Sequence, residues 1–232
     1  PICTSLEELK AMRDAVKKNK VKTLAGFVLR WNPLFETIKA MIADDALGNV
    51  FYVETDYQSH LGGWWSGWET VRPKKIGVSS FITSGVHAVD AMRWFASRER
   101  YKAAKITEVT SLAGGYRKDN KDMDWDGLEV MLARLDTGAI AKVCSNFDCI
   151  QPDTFQIQIF GEKGTVKNNR VWSHKFPGQK GWVEIPTILP DTAEVTHHPF
   201  QGEIDHFVDC ILSDKESHCN LEDAANTHEA AF

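Results

Sequence analysis

Between residues 106 and 185 the chain passes through six short β-like segments with no helical stretch between them. They are Ile106–Ala113, Leu128–Leu135, Ala139–Asn146, Phe155–Phe160, Gly164–Asn168 and Trp182–Ile185, each rich in β-branched, aromatic or other apolar residues. Asp136-Thr137-Gly138 and Glu162-Lys163-Gly164 are hairpin turn signals. Parallel neighbours need a long crossover, so strands joined this closely must pair antiparallel. Helical patterns lie before and after this block. The class that follows is α+β, a large, mainly antiparallel β-sheet with helices on one face. The other face must be solvated or covered by a partner. Apolar residues expected on both sides of a strand, such as Ile157, Ile159 and Phe160, favour a partner.

Upstream, Thr4 to Asn19 reads as a helix. Thr4 or Ser5 can cap it, Glu7 and Glu8 suit its first turn, and Leu6, Leu9, Met12 and Val16 recur at helical spacing. Val21 to Leu29 then reads as a strand. A helix followed by an apolar strand has the rhythm of the last unit of a parallel sheet. Pro33 opens a second helix that Leu47-Gly48 ends. Val50 to Ser59 is strand-like, residues 60–80 read as a long functional or mobile loop, and Ser84 to Ala96 is a helix. Pro199 to Leu212 and Leu221 to Phe232 give two more helices, the last without a stop signal.

With 232 residues, 43% hydrophobic and 25% charged, the chain can bury a real core. A formal net charge of -5 disfavours nucleic acid and anionic membrane as partners. No apolar run approaches the roughly 20 residues that span a bilayer. Five scattered cysteines without close pairs read as reduced thiols of a cytoplasmic protein, with packing the favoured role for Cys144 and Cys149.

The strongest constellation for chemistry is Ser84-Gly85-Val86-His87-Ala88-Val89-Asp90. On a helix His87 and Asp90 share a face. A neutral His87 imidazole can take a proton from a substrate hydroxyl, with Asp90 orienting it; the same pair can also be purely structural. Arg30 can hold a carboxylate, a phosphate or a buried acidic partner. Tyr57, His60, Trp64 and Trp65 are candidates to line the same mouth, the tryptophans either stacking on a sugar or packing in the core. A metal held by His87, Asp90 and His206 is possible by residue type, though no spacing demands it. The sequence contains no nucleophile elbow, P-loop or G-x-G-x-x-G.

An ordered set of segments resembles the Gfo/Idh/MocA oxidoreductases. It runs from Pro1 and Thr4-Ser5-Leu6-Glu7-Glu8-Leu9 through Gly26-Phe27-Val28-Leu29-Arg30-Trp31-Asn32-Pro33 and Leu47-Gly48-Asn49-Val50. It continues with Gly85-Val86-His87-Ala88-Val89-Asp90, Phe160-Gly161-Glu162-Lys163-Gly164 and Glu203-Ile204-Asp205-His206-Phe207. Each motif is weak singly, but the ordered set spans essentially the whole chain. The resemblance implies a C-terminal substrate-binding and oligomerisation domain over residues 31–232. Residues 1–30 would then be a helix-strand remnant of the N-terminal Rossmann domain. Pro1 matches the proline of the family's Glu-Lys-Pro motif, which places the catalytic lysine just before it. Hydride transfer from a sugar or polyol hydroxyl to NAD or NADP follows for the intact protein, with the chain alone inactive.

The same resemblance implies catalytic roles at His87 and Thr83, substrate contacts from Arg30, Tyr57, His60, Trp64, Trp65 and Asp90, and cofactor contacts from Pro1 and Arg30. It also implies a homodimer or homotetramer through the open sheet face. Thr83 stands where the family often has an aspartate four residues before the histidine, and a threonine cannot serve as a carboxylate base. Two further readings therefore stand beside the first: a non-catalytic carbohydrate-binding or assembly module, and an NAD-dependent glycosidase of the same family.

Overall fold

The computed structural model describes residues 1–115, 123–186 and 198–232. Helix α1 (Leu6–Asn19) starts where Ser5 Oγ accepts the Glu8 amide at 3.1 Å and Glu8 returns a bond to the Thr4 amide at 2.8 Å. These reciprocal bonds satisfy donors that a helix start leaves open. Helix α2 (Pro33–Ala43) has Pro33 in its first turn and the Asn32 side chain as cap. It ends at Ala43, five residues before Gly48, and Asp45 just beyond it is left-handed (φ 60).

Strand β1 (Val50–Gln58) leads through two one-turn helices, α3 (Trp68–Val71) and α4 (Lys74–Gly77), and a π-turn (Phe81–Gly85) into α5 (Val86–Phe95). Strands β2 (Ile106–Gly114), β3 (Leu128–Leu135), β4 (Ile140–Asn146), β5 (Thr154–Gly161), β6 (Gly164–Lys167), β7 (Arg170–Ser173) and β8 (Val183–Glu184) follow. Helices α6 (Phe200–Leu212) and α7 (Leu221–Ala231) close the chain, the latter capped by Asn220.

The strands form one eight-stranded sheet in the order β2-β3-β4-β1-β5-β6-β7-β8. The expected antiparallel sheet is present, but it is not one meander. Strand β1 enters from upstream and separates β4 from β5, parallel to the first and antiparallel to the second. Hairpin signals report only local pairing, and this insertion is a non-local contact. The turn before β4 forms as expected, with Gly138 at φ 85 closing it. Strand β7, only four residues long, was not expected; Asn168, read as strand, is instead the left-handed turn residue before it (φ 52).

One sheet face carries Val53, Thr55, Met131, Ala133, Ala141, Val143, Ile157 and Ile159, all buried. Ile157 and Ile159 have equal parity, so both point to this core side, while Phe160 alone of the three turns outward and stacks on Tyr52. Helix α5 crosses the core side of β1 and β4. Nine of its ten residues are buried, which makes it an internal helix, so its charged Asp90 and Arg93 require partners.

The strand expected over Val21–Leu29 does not form. Its end is a 3₁₀ turn (Val28–Trp31), and the part before it meets the residues ahead of α7 through scattered bonds: Ala25 N to Cys219 O at 2.7 Å and Leu221 N to Thr23 Oγ1 at 3.0 Å. A strand needs a continuous ladder, and none lies alongside among the described residues. Helix α1 packs on α7 through Cys3, Leu9, Leu221 and Ala225, with Arg13 reaching Glu222 and Glu229 across the surface.

Candidate functional site

His87 sits in the first turn of α5, just after the π-turn. Its ring meets Phe27 edge-on (centroids 5.9 Å apart, planes at 85°). Its Nδ1 is buried and has no hydrogen-bond partner. Burial, then the Pro1 amino group, His198 and His228, push its pKa down to about 3. The ring is therefore neutral at physiological pH and holds one uncommitted nitrogen.

His228 also meets Phe27, stacked at 5.9 Å. Its Nε2 accepts the Ile2 amide at 3.1 Å, and its Nδ1 lies 3.1 Å from the Ala224 carbonyl. Those two bonds fix the neutral tautomer with the proton on Nδ1. Burial lowers the His228 pKa as well. Sequence reasoning passed over His228 and Phe27. The available signal was a histidine on the apolar stripe of a terminal helix, an expensive place for a charge.

Asp90 does not orient His87. Its carboxylate turns the other way and accepts Arg30 Nε at 2.7 Å and Nη2 at 2.6 Å, a bidentate fork. Arg30 Nη2 also reaches Asp223 at 2.5 Å, and Nη1 donates to the His218 carbonyl at 2.8 Å. Arg93 joins from one turn along α5, bonding Asp223 Oδ1 at 3.1 Å and Thr227 Oγ1 at 2.7 Å. Two guanidinium groups and two carboxylates thus form a neutral buried cluster that ties the 3₁₀ turn, α5 and α7 together. Burial opposes the charge on Asp223, but Arg30 and Arg93 outweigh it and hold its pKa below the usual carboxylate value. Of the partners open to Arg30, the structure supplies the buried acidic one, which takes three of its five N–H groups.

Thr83 is buried in the π-turn and spends its hydroxyl proton on the Gly77 carbonyl at 2.9 Å. Tyr57 stacks on Phe155 at 4.3 Å and meets Phe147 edge-on. Burial first, then Asp153, raises its phenol pKa. His60 forms an isolated bridge with Asp148 just beyond β1. The tryptophans divide: Trp68 is 7% exposed in a small core with Leu61, Trp125 and Phe147, whereas Trp64 is 59% exposed. Trp65 is exposed too, folded back over Gly67. The three side chains weighed for a metal are not brought together. His206 packs against Trp31 and His218 instead, and the described residues contain no cluster of three metal-ligating groups.

A mainly antiparallel sheet is thus backed by a buried helix, with a neutral histidine at that helix's first turn. The chain belongs to the Gfo/Idh/MocA family: the GFO/IDH/MocA C-terminal domain matches residues 35–167. It is 25% identical over 176 residues to the rhizopine catabolism protein MocA of Rhizobium meliloti, covering 74% of this chain and 50% of that protein. It is 22% identical over 234 residues to the scyllo-inositol 2-dehydrogenase (NAD(+)) of Bacillus subtilis, covering 93% of this chain and 60% of that one. The fold also matches an oxidoreductase from Agrobacterium radiobacter solved with NAD+, L-tartaric acid and magnesium. The TM-score is 0.77 at 17% identity, covering all of this chain and 67% of that one. The chain thus spans 50% and 60% of the lengths of the two curated relatives.

Proposed function

We propose that this chain is the substrate-facing part of an NAD(P)-dependent oxidoreductase that acts on a sugar or polyol hydroxyl. The observation that carries the reading is the uncommitted, neutral imidazole of His87, held on Phe27 beside Pro1. The names of the relatives, an inositol dehydrogenase among them, support the substrate class. In this reading residues 1–30 belong with a Rossmann domain that holds the nucleotide, and residues 31–232 shape the substrate side. Arg30 spends four of its five N–H groups within the chain, which leaves it at most one for a cofactor. Pro1 remains at the edge of the site, with its following amide fixed by His228. The nicotinamide, when bound, supplies hydride acceptance.

The chain's own contribution is orientation. A ring whose pKa lies near 3 is a weak base, so His87 accepts a hydrogen bond from the reacting hydroxyl and fixes its direction. The stronger base falls to the neighbouring lysine expected from the Glu-Lys-Pro resemblance. The exposed Trp64 and Trp65 give a sugar ring apolar surface to cover. The open sheet face, with Tyr52, Leu132, Ile140 and Phe160, is the surface for pairing subunits.

Replacing His87 by alanine in the intact protein is expected to lower turnover by more than about tenfold, and unchanged turnover removes it from the site. The 232-residue chain titrated with NADH and NADPH is expected to show no saturable fluorescence change. Saturable binding would require the domain division to be redrawn. One observation favours a non-catalytic sugar-binding module as second reading: Thr83, in place of a carboxylate, is locked onto Gly77. Product formation by the intact protein separates the two.

A further inference from the structure

A cavity lies toward the other end of α5 from His87. It measures about 390 Å³ and is lined by Trp31, Trp94, Arg100, Tyr101, Asp209 and His218 among others, with His87 and Phe27 absent from its walls. His87 and Trp94 are seven residues apart on one helix, so about 10 Å of helix separates the two places.

Rings form much of its lining. Trp31 lies 5.4 Å from both His206 and His218, those two rings are 4.6 Å apart, and Tyr101 stands 5.5 Å from His218. Burial, then Arg30 and His206, push the His218 pKa down to about 3, and burial lowers that of His206. The imidazoles are neutral, and the ring nitrogens of His218 have no described partner.

Two of the three cations on its walls are spent within the chain. Arg30 is neutralised within its own cluster. Lys39 gives its ammonium to the carbonyls of Trp94, Ser97 and Lys102. What remains is the Arg100 guanidinium, 5.8 Å from the Tyr101 ring, facing the carboxylates of Glu36, Asp205 and Asp209. Three carboxylates repel an anion such as phosphate, and the Arg100 guanidinium beside them offers N–H donors. Free donors and free acceptors side by side suit hydroxyl groups, which do both. Ring faces suit the C–H face of a saturated ring. A volume near the low end of the roughly 300–1,000 Å³ typical of ligand sites suits one ring of that kind.

We propose that this cavity is a binding site for a neutral pyranose, separate from the His87 site. It stands whether or not the His87 site transfers hydride. The probe is D-glucose, titrated into the 232-residue chain while the His206 and His218 ring protons are followed by NMR. Saturable shifts at millimolar glucose are expected. They should weaken at least fivefold in Tyr101→Ala and in Asp209→Ala, whose side chains are at the surface and leave the core intact. They should persist in His87→Ala.

Three results overturn the proposal. One is the absence of saturable shifts in the folded wild-type chain. Another is binding that His87→Ala removes and Tyr101→Ala leaves unchanged. The third is stronger saturation by choline or by inorganic phosphate than by glucose, which would assign the cavity to a charged ligand.

Discussion

Asp90→Ala separates the two roles that the sequence leaves open for this residue. The Asp90 carboxylate takes both arms of the Arg30 fork at 2.7 and 2.6 Å, and its side chain is 2% exposed. Removing it converts a neutral group of two arginines and two aspartates into one with an excess positive charge in the interior. Arg30 keeps Asp223 and the His218 carbonyl, but its Nε is left without an acceptor. Breaking a buried pair from one side costs about 3–5 kcal/mol. For a chain of this length each kcal/mol moves the melting midpoint by about 2–4 °C. The expected fall is therefore about 6–20 °C, read by circular dichroism. His87, with no bond to Asp90, should keep its depressed titration when followed by NMR. A midpoint within about 2 °C of wild type, together with a shifted His87 titration, would show that Asp90 serves the histidine and that the cluster is incidental. Replacing Arg30 and Asp90 together by apolar residues of similar volume should recover much of the loss, because the stranded charge disappears with its partner.

Acid should destabilise the fold early. His87 and His218 stay neutral in the folded chain to about pH 3, whereas in the unfolded chain they protonate as pH falls through about 6.5. The unfolded state binds more protons across that window, so stability falls from about pH 6.5 downward. Urea unfolding at about pH 7.5 and about pH 5 tests this, and equal stabilities at the two values would contradict the burial of these rings. Trp68→Ala should cost about 3–5 kcal/mol, since it empties the small core under the loop. Trp64→Ala should stay within about 0.5 kcal/mol, and equal losses in denaturant melts would refute the division between them. Gly85→Ala should destabilise the π-turn that presents His87, because a Cβ there would lie 2.6 Å from Ser145 Oγ. A fully stable Gly85→Ala chain, shown by an unchanged melt, would mean that this turn has slack.

The sequence by itself determined the local elements and the family. Caps at Ser5, Asn32 and Asn220 are short-range devices, and the hairpin at Gly138 needs only its own neighbours to form. Strand alternation separates Ile157 and Ile159 from Phe160 once the period is counted. His87 was legible because its surrounding motif is contiguous. Tertiary structure decided whatever depends on contacts between distant residues. The insertion of β1 between β4 and β5 joins segments about a hundred residues apart, and no local pattern encodes it. Val21–Leu29 has the composition of a strand, yet without a neighbouring ladder its backbone finds only isolated partners along residues 219–221. Asp90 carries the right spacing for His87, but helical spacing fixes only which face a side chain shares. Which group on that face wins a buried carboxylate is settled by charge, and here the Arg30 guanidinium, arriving from sixty residues upstream, outweighs a neutral imidazole three residues away.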